Sequence, residues 1–240
     1  MNGEFTNTYE DRTRAASYAG LEFPGTYSLA FRDLPAIIGR HVSGTRALDF
    51  GCGAGRSTRF LKALGFETVG ADISEEMLAR ARERDPAGDY RLVREDGLGG
   101  PALFDLVLCA FPFDNIPTME KKAAILSGLR RALAPEGRIV NLVTSPETYL
   151  HEWASFSTKD FPENRTAKSG DRVRVVMLDV EDRRPVDDVL WTEEAYRETY
   201  SRAGLEVVEV CRPLGRQDEP YAWVSETRVA PWTIYVLRRG

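Results

Sequence analysis

The stretch 47–55 (ALDFGCGAG) constrains the fold more than any other part of this 240-residue chain. It starts as an apolar run typical of a buried strand over 46–50, and it continues into a turn with glycine at 51, 53 and 55. A helix is predicted to begin near Arg56. Glycine suits such a turn because a Cβ would block a left-handed backbone or a ligand that approaches the main chain. The following helix presents unpaired N–H groups to that ligand.

The glycine spacing differs from the fingerprint that binds dinucleotides. That fingerprint, G-x-G-x-x-G, has its third glycine three residues after the second. Here Arg56 occupies that position and the third glycine is Gly55. Asp49 also precedes the turn, where its carboxylate would repel a pyrophosphate. An NAD(P)-dependent oxidoreductase is therefore kept only as an alternative.

The pattern D-x-G-x-G-x-G resembles motif I of the class I S-adenosylmethionine-dependent methyltransferases. Other segments resemble that family in the same order along the chain. They are a second strand at 68–71 followed by Asp72, Asp96 with Gly97 after the third strand, residues 104–113 as the fourth strand and its loop, and residues 132–143 as a helix end and fifth strand. The resemblance covers about 40–143 closely and 192–238 more loosely. Glu136 departs from it, since the family usually has glycine there.

The resemblance implies S-adenosyl-L-methionine as the cofactor and S-adenosyl-L-homocysteine as its product. It implies that Asp72 accepts hydrogen bonds from the ribose, that Ile73 packs on the adenine, and that the segment at Asp96 holds the adenine amino group. The residues predicted to bind the cofactor are Asp49, Gly51, Cys52, Gly53, Gly55, Asp72, Ile73, Asp96, Gly97 and Ala110. No metal is expected, because the cysteines lack the spacing of metal ligands.

Strands that alternate with helices predict an α/β fold with right-handed crossovers. With the resemblance, this indicates a Rossmann-like, doubly wound, seven-stranded and mostly parallel sheet with helices on both faces. Residues 1–240 are interpreted as one methyltransferase domain. Its parts are an N-terminal helical cap (1–42), a cofactor-binding core (43–144), an inserted substrate-side region (145–191) and the C-terminal part of the core (192–240).

Local patterns add detail to this fold. Ser74, Thr118 and Thr192 are predicted to cap helices, and Pro135 with Gly137 is predicted to end the second of these. In the cap, apolar residues recur at helical spacing at 27, 31, 34 and 38. In the insertion, alternation over 173–177, a turn at 182–185 and a strand at 186–191 predict a β-hairpin with two apolar faces. A monomer and a homodimer both stay open.

Methyl transfer from a sulfonium needs mainly alignment in a dry pocket, and a base helps when the acceptor is a hydroxyl. His151, after the fifth strand, and Asp114, after the fourth, are the candidate catalytic residues. A surface histidine and a turn-capping aspartate are the alternative interpretations. The side chains predicted to form the substrate pocket are Tyr18, Tyr27, Phe111, Phe113 and Trp153. Packing on the sheet edge is the alternative for the tyrosines.

Charge and composition limit the partners. The net charge is −5 and the basic residues are scattered, so no nucleic-acid partner is expected. Neither a signal peptide nor a membrane span is recognised, and a cytoplasmic protein without membrane contact is expected. The acceptor is predicted to be a small molecule, a metabolite or a natural-product intermediate, methylated on N, O or C. A regulatory protein that binds the cofactor without turnover is the alternative.

Overall fold

The computed structural model describes residues 21–93 and 103–240. The helices are α1 Thr26–Arg32, α2 Leu34–His41, α3 Arg56–Ala63, α4 Glu75–Arg84, α5 Met119–Ala132 and α6 Glu193–Arg202. The strands are β1 Arg46–Phe50, β2 Glu67–Asp72, β3 Asp89–Leu92, β4 Phe104–Ala110, β5 Leu133–Thr144, β6 Phe156–Ser157, β7 Arg172–Met177, β8 Val186–Val189, β9 Leu205–Cys211 and β10 Trp232–Arg239.

Seven strands form the main sheet in the order β3-β2-β1-β4-β5-β10-β9. Strand β1 pairs parallel with both β2 and β4, while β10 runs antiparallel between β5 and β9. The strand order reverses at β1, and open α/β sheets bind ligands at the carboxyl ends of the strands at such a point. The predicted doubly wound, mostly parallel sheet is confirmed.

Both faces of the sheet are buried, and strand β4 shows how. Leu106 and Leu108 belong to a core cluster that includes residues of α1 and α2. Val107 and Cys109 point to the other face, into a cluster that includes Tyr200 of α6. Successive side chains of a strand alternate between faces, so a strand covered on both sides is apolar throughout. The predicted helices on both faces are confirmed.

The described part of the N-terminal cap, residues 21–42, contains helices where the apolar spacing predicts them. Helices α1 and α2 meet at Asp33, directly before Leu34 and Pro35, and proline at the second helical position of α2 suits a helix start. Tyr27 and Leu34 are buried against the main sheet. Tyr27 of α1 also reaches the cavity described below.

The predicted hairpin is also present, as β7 paired antiparallel with β8. The short strand β6 pairs with the other edge of β7 and completes a three-stranded sheet. Val173, Val175 and Met177 lie in the same core cluster as α1. One apolar face of the hairpin thus packs on the main body of the protein.

Helix boundaries follow the capping residues. Ser74, Thr118 and Thr192 each accept a hydrogen bond from the backbone N–H three residues later, at 3.2–3.3 Å. The end of α5 differs from the prediction, since the helix stops at Ala132, before Pro135. Proline disfavours a helical conformation in the residue before it, and Leu133 already pairs with Phe104.

No helix among residues 21–93 and 103–240 is long and apolar enough to cross a membrane. The division of 1–240 into the four parts named above stays a prediction. Tyr18, Asp96 and Gly97 lie outside the described residues.

Candidate functional site

The glycine turn after β1 is held tightly against its neighbours. Gly51, Gly53 and Gly55 have φ of 76°, 52° and 78°, in the left-handed region. The backbone N–H of Gly51 donates to Ala71 O at 2.7 Å. A Cβ on Gly51 would lie 2.5 Å from Cβ of Pro112, in the loop after β4. A side chain at position 51 is therefore excluded both by backbone conformation and by the approach of the neighbouring loop.

Asp72, at the end of β2, fixes the turn from the other side. Its Oδ2 accepts a hydrogen bond from Gly53 N at 2.8 Å, and its Oδ1 accepts one from Ser74 N at 2.9 Å. Burial raises the pKa of this carboxyl, and the backbone hydrogen bonds partly offset that effect. Each carboxylate oxygen keeps a lone pair for a ligand.

Asp49 lies under the turn, fully buried in β1. Its Oδ2 accepts hydrogen bonds from the hydroxyls of Ser57 and Thr58 at 2.7 and 2.6 Å, which ties the start of α3 to the strand. Its Oδ1 has no partner among the described residues. Burial raises the pKa of Asp49 to about 6. A buried oxygen without a partner is unusual and indicates a place for a bound donor.

A cavity of about 530 Å³ opens beside this turn. We call one part of its wall the glycine side, contributed by the ends of β1 and β2, by α4 and by the residue after β3: Gly51, Gly53, Asp72, Ile73, Met77 and Val93. We call the other part the aromatic side, contributed by α1, the loop after β4, the end of β5, the three-stranded sheet and the start of β10: Tyr27, Phe111, Asp114, Thr144, Phe156, Asp188 and Trp232. Its size is that of pockets that take small ligands.

The aromatic side is organised around Phe111. Its ring centroid lies 4.8 Å from that of Trp232 and 6.5 Å from that of Tyr27. Phe156 is in contact with both of these rings, at 5.5 and 5.0 Å. Phe111 has a φ of 69°, the one positive φ outside glycine among the described residues. Such a backbone costs about 1–3 kcal/mol and is typical of functional sites.

Two carboxyl groups lie among these rings. Asp114, buried, accepts hydrogen bonds from the hydroxyl and the backbone N–H of Thr144, at 2.6 and 3.2 Å. Asp188 accepts one from the Tyr149 hydroxyl at 3.1 Å. With its amide oriented to satisfy its neighbours, Asn115 donates to Asp188 Oδ1 at 2.9 Å. Both aspartates therefore accept these hydrogen bonds from neutral groups.

A buried lysine lies behind this pair. The ammonium of Lys122 donates to Phe113 O, and it lies 4.8 Å from the ring centre of Trp191. Burial raises the pKa of Asp114 to about 6 and, together with the charge of Asp114, that of Asp188 to about 7. Burial lowers the pKa of Lys122 to about 7, against the attraction of the two carboxylates. The ionisation of each of these three groups therefore depends on that of the others.

Comparison with known proteins agrees with this geometry. The family model for a methyltransferase domain matches residues 48–139, which contain the glycine turn, Asp72 and strand β4. The similarity to a methyltransferase domain thus covers less than half of the chain.

Curated relatives match less than half of this chain. Demethylmenaquinone methyltransferase of Thermus thermophilus is 41% identical over 108 residues, which is 42% of this chain and 48% of that protein. Ubiquinone biosynthesis O-methyltransferase of Methylococcus capsulatus is 30% identical over 104 residues, 41% of this chain and 43% of that protein. The chain thus matches about half the length of these relatives.

Solved structures share the fold over nearly the whole chain. An S-adenosylmethionine-dependent methyltransferase from Clostridium acetobutylicum has a TM-score of 0.63 at 13% identity, covering 98% of this chain and 100% of that one. One from Mesorhizobium loti has a TM-score of 0.62 at 21% identity, covering 90% and 100%. At such identities the likeness shows the fold.

The glycine side has features that suit S-adenosylmethionine, the cofactor that the sequence resemblance implies. A Cβ at Gly53 would lie 3.2 Å from Cε of Met77, which lines the cavity, so glycine at this position leaves that space open. Ile73 is 51% exposed although its side chain is large and apolar, and it lines the cavity, as a wall for a planar ring would. The acid at 72, which also lines the cavity, complements a cofactor that carries ribose hydroxyls.

Sequence reasoning brought several residues to this cavity. The predicted site residues that line it are Gly51, Gly53, Asp72, Ile73, Ala110, Tyr27, Phe111 and Asp114. Asp49, Cys52 and Gly55 instead lie behind the turn, where Cys52 packs in a small core with Leu78 and Gly55 lies against the Tyr90 ring. That these three residues contribute to cofactor binding stays a prediction. Their contribution would be to shape the turn.

Three predicted residues lie away from the cavity. The side chain of His151 is 39% exposed and faces Glu147 at 3.1 Å. Phe113 is fully buried in the core on the α5 side of the sheet. Trp153 is buried too, and its indole N–H donates to Thr148 O at 2.9 Å. None of these three residues is among those that line the cavity.

The sequence reasoning missed Met77, Thr144, Phe156, Asp188 and Trp232, which line the cavity. A signal existed for Asp188, since alternation in the predicted strand 186–191 puts it on the same side as Val186. Trp232 begins the last strand, next to the end of β5. No sequence pattern indicates that this edge faces the glycine turn.

Proposed function

We propose that this protein transfers a methyl group from S-adenosylmethionine to a small-molecule acceptor. The observation that carries the proposal is the continuity of one cavity from the glycine side to the aromatic side. A donor held on the first part would direct its reactive carbon toward an acceptor held on the second.

The glycine side supports binding of the adenosyl group. Asp72 offers two carboxylate oxygens, already oriented by Gly53 N and Ser74 N, to ribose hydroxyls. Ile73 and Met77 offer apolar surface to the adenine. The sulfonium supplies the activated methyl group when the cofactor is bound, so the protein's own task is alignment.

The aromatic side supports exclusion of water from the transfer. Tyr27, Phe156 and Trp232 are buried and still line the cavity. They come from the cap, from the insertion and from the last strand, so three separate parts of the chain enclose the acceptor. Enclosure of this kind favours a small acceptor over a polymer, and a dry pocket strengthens every electrostatic contact made to it.

The net charge of −5 supports the absence of a nucleic-acid substrate. Within small molecules, the flat apolar wall favours a metabolite or natural-product intermediate with an apolar or ring portion. Action in the cytoplasm belongs to the same proposal.

Calorimetric titration of the intact protein with S-adenosylhomocysteine tests the cofactor. We expect saturable binding with one site per chain, and NADH should not compete for it. Incubation with methyl-labelled S-adenosylmethionine and a metabolite extract, read by mass spectrometry, then tests transfer. No binding of S-adenosylhomocysteine contradicts the proposal. Binding without transfer to any acceptor favours the regulatory alternative.

A further inference from the structure

The aromatic side carries two acids that the cofactor does not need. Asp114 follows β4 and Asp188 lies on β8, and both line the cavity. The backbone holds them together, since Val189 N donates to Asp114 O at 3.0 Å. Two separate elements thus bring carboxyl groups to one place beside the proposed path of the methyl group.

Neither acid has an ion-pair partner among residues 21–93 and 103–240. The donors to Asp114 are Thr144 and, at 3.5 Å, the Tyr196 hydroxyl, while Asp188 takes the Tyr149 hydroxyl and the Asn115 amide. All of these are neutral groups. Carboxylates that rest on neutral donors keep their negative charge available to a ligand.

One buried cation faces two acids. Lys122 donates to the carbonyl of Phe113 and lies over the rings of Trp191 and Tyr196. Its charge offsets one carboxylate at most. A second positive charge nearby would favour the ionisation of both acids together, because like charges in a buried site disfavour each other's ionisation.

The surrounding rings point independently to a cation. Tyr27, Phe111, Phe156 and Trp232 line the same cavity as the acids. Aromatic faces attract ammonium groups through their quadrupole, most strongly where water is excluded. The guanidinium of Arg56 already lies 5.3 Å from the centre of the Tyr27 ring, and the exposed Lys121 is a cationic side chain of the cavity wall.

We propose that the methyl acceptor is an amine, bound as its ammonium form by Asp188 and Asp114 against the aromatic wall. This rests on the proposed function and names its substrate class. A phenolate or quinolate acceptor would instead develop negative charge beside two acids, which is unfavourable.

The carboxyl pair also supplies the base that an ammonium requires. One N–H proton passes to the carboxylate of Asp188 or Asp114, which leaves a neutral amine with its lone pair free. That pair forms the bond to the methyl carbon as the carbon–sulfur bond breaks, and the bonding electrons go to sulfur, leaving a neutral thioether. The product is a methylated ammonium, and the carboxyl proton passes to water when the product leaves.

Matched pairs of small probes test this. The protein, saturated with S-adenosylhomocysteine in buffer with EDTA at pH 8, is titrated with benzylamine against benzyl alcohol, and with cyclohexylamine against cyclohexanol. We expect each amine to bind at least about tenfold more tightly than its alcohol, as charge-assisted hydrogen bonds exceed neutral ones. Equal affinities, or no binding of either amine, overturn the proposal.

Two neighbouring variants separate charge in the cavity from charge nearby. Asp188→Asn should lower amine affinity about tenfold and leave alcohol affinity within twofold. Asp187→Asn removes the same charge from the adjacent, exposed residue, and it should change neither. Loss of amine affinity in both variants, or in neither, contradicts the assignment.

S-adenosylhomocysteine titration of each variant shows that the glycine side is intact. If wild-type protein fails to bind S-adenosylhomocysteine, the proposed function fails. If S-adenosylhomocysteine binds and amines show no preference, only the acceptor class is wrong. These two failures are therefore distinguishable.

Discussion

The two sides of the cavity differ in how the chain builds them. The glycine side comes from residues 51–93, and its contacts join neighbouring turns, such as Gly53 N to Asp72 at 2.8 Å. The aromatic side draws on residues from Tyr27 to Trp232, and the indole N–H of Trp232 donates to Thr26 O at 2.8 Å across 206 positions. A local construction can be read from a motif. Because the aromatic side is assembled from distant segments, its residues can change to suit another acceptor without disturbing the glycine side.

The largest effect is expected where the two sides touch. Gly51→Ala adds a left-handed strain of about 1–2 kcal/mol and a clash with Pro112 of about 1–3 kcal/mol, for roughly 3 kcal/mol of lost stability. Gly65→Ala is the control, since its φ is 93° but nothing lies within 4 Å of its Cβ. Urea unfolding of both measures the difference. Equal losses would show that the glycine turn is independent of the loop after β4.

Asp72→Ala should show that the glycine side binds the cofactor. Loss of two charge-assisted hydrogen bonds weakens S-adenosylhomocysteine binding roughly 100-fold, measured by calorimetry. Asp89→Ala, an exposed acid paired with Arg91, should leave it unchanged. Undiminished binding by the Asp72 variant would contradict the cofactor assignment.

The free energy of unfolding should vary with pH through Asp188, on the aromatic side. The pKa of Asp188 rises from 3.8 to about 7 on folding, so the folded protein keeps a proton that the unfolded chain has lost. Stability from this group is full below about pH 4 and falls toward pH 7, by up to about 1.4 kcal/mol per unit. Asp188→Asn should flatten that fall, and Asp187→Asn should reduce it only in part, because the charge of Asp187 is one of the smaller causes of the raised pKa of Asp188. Urea unfolding at several pH values measures both. A steeper fall in Asp188→Asn would reverse the assigned sign.

Phe111 offers a finer comparison, because its ring serves the cavity while its backbone is strained. Phe111→Gly should be more stable than Phe111→Ala by about 1 kcal/mol, since glycine tolerates a φ of 69°. Both variants should lose the wall of the acceptor site and keep S-adenosylhomocysteine binding. Thermal unfolding and calorimetry check this. An alanine variant that is the more stable would show that the strain is absent.

The smallest effect is expected at His151. Its side chain is on the surface and away from the cavity, so His151→Ala should change stability by less than about 0.5 kcal/mol. Methyl transfer should stay within twofold. A tenfold loss of methyl transfer would contradict this prediction and indicate that His151 is catalytic.

Some of this could be read from single residues. The capping hydroxyls at 74, 118 and 192 act within one turn of their helix, and the alternation in 173–177 follows from strand geometry. The position of Asp114 after β4 was readable, but its burial was not, because Thr144 and Tyr196 approach it from other elements. Lys122 is fully buried among apolar residues, against the usual preference of lysine for the surface.

The sequence alone determined the sheet, the glycine turn and the acid at the end of β2, because these depend on spacing within a few residues and on the geometry of parallel strands. Only the tertiary structure decided which side chains meet across the cavity. It turned Trp153 and Phe113 into the core, left His151 at the surface, and brought Asp188 beside Asp114. Such choices rest on how distant elements pack, which no local pattern carries.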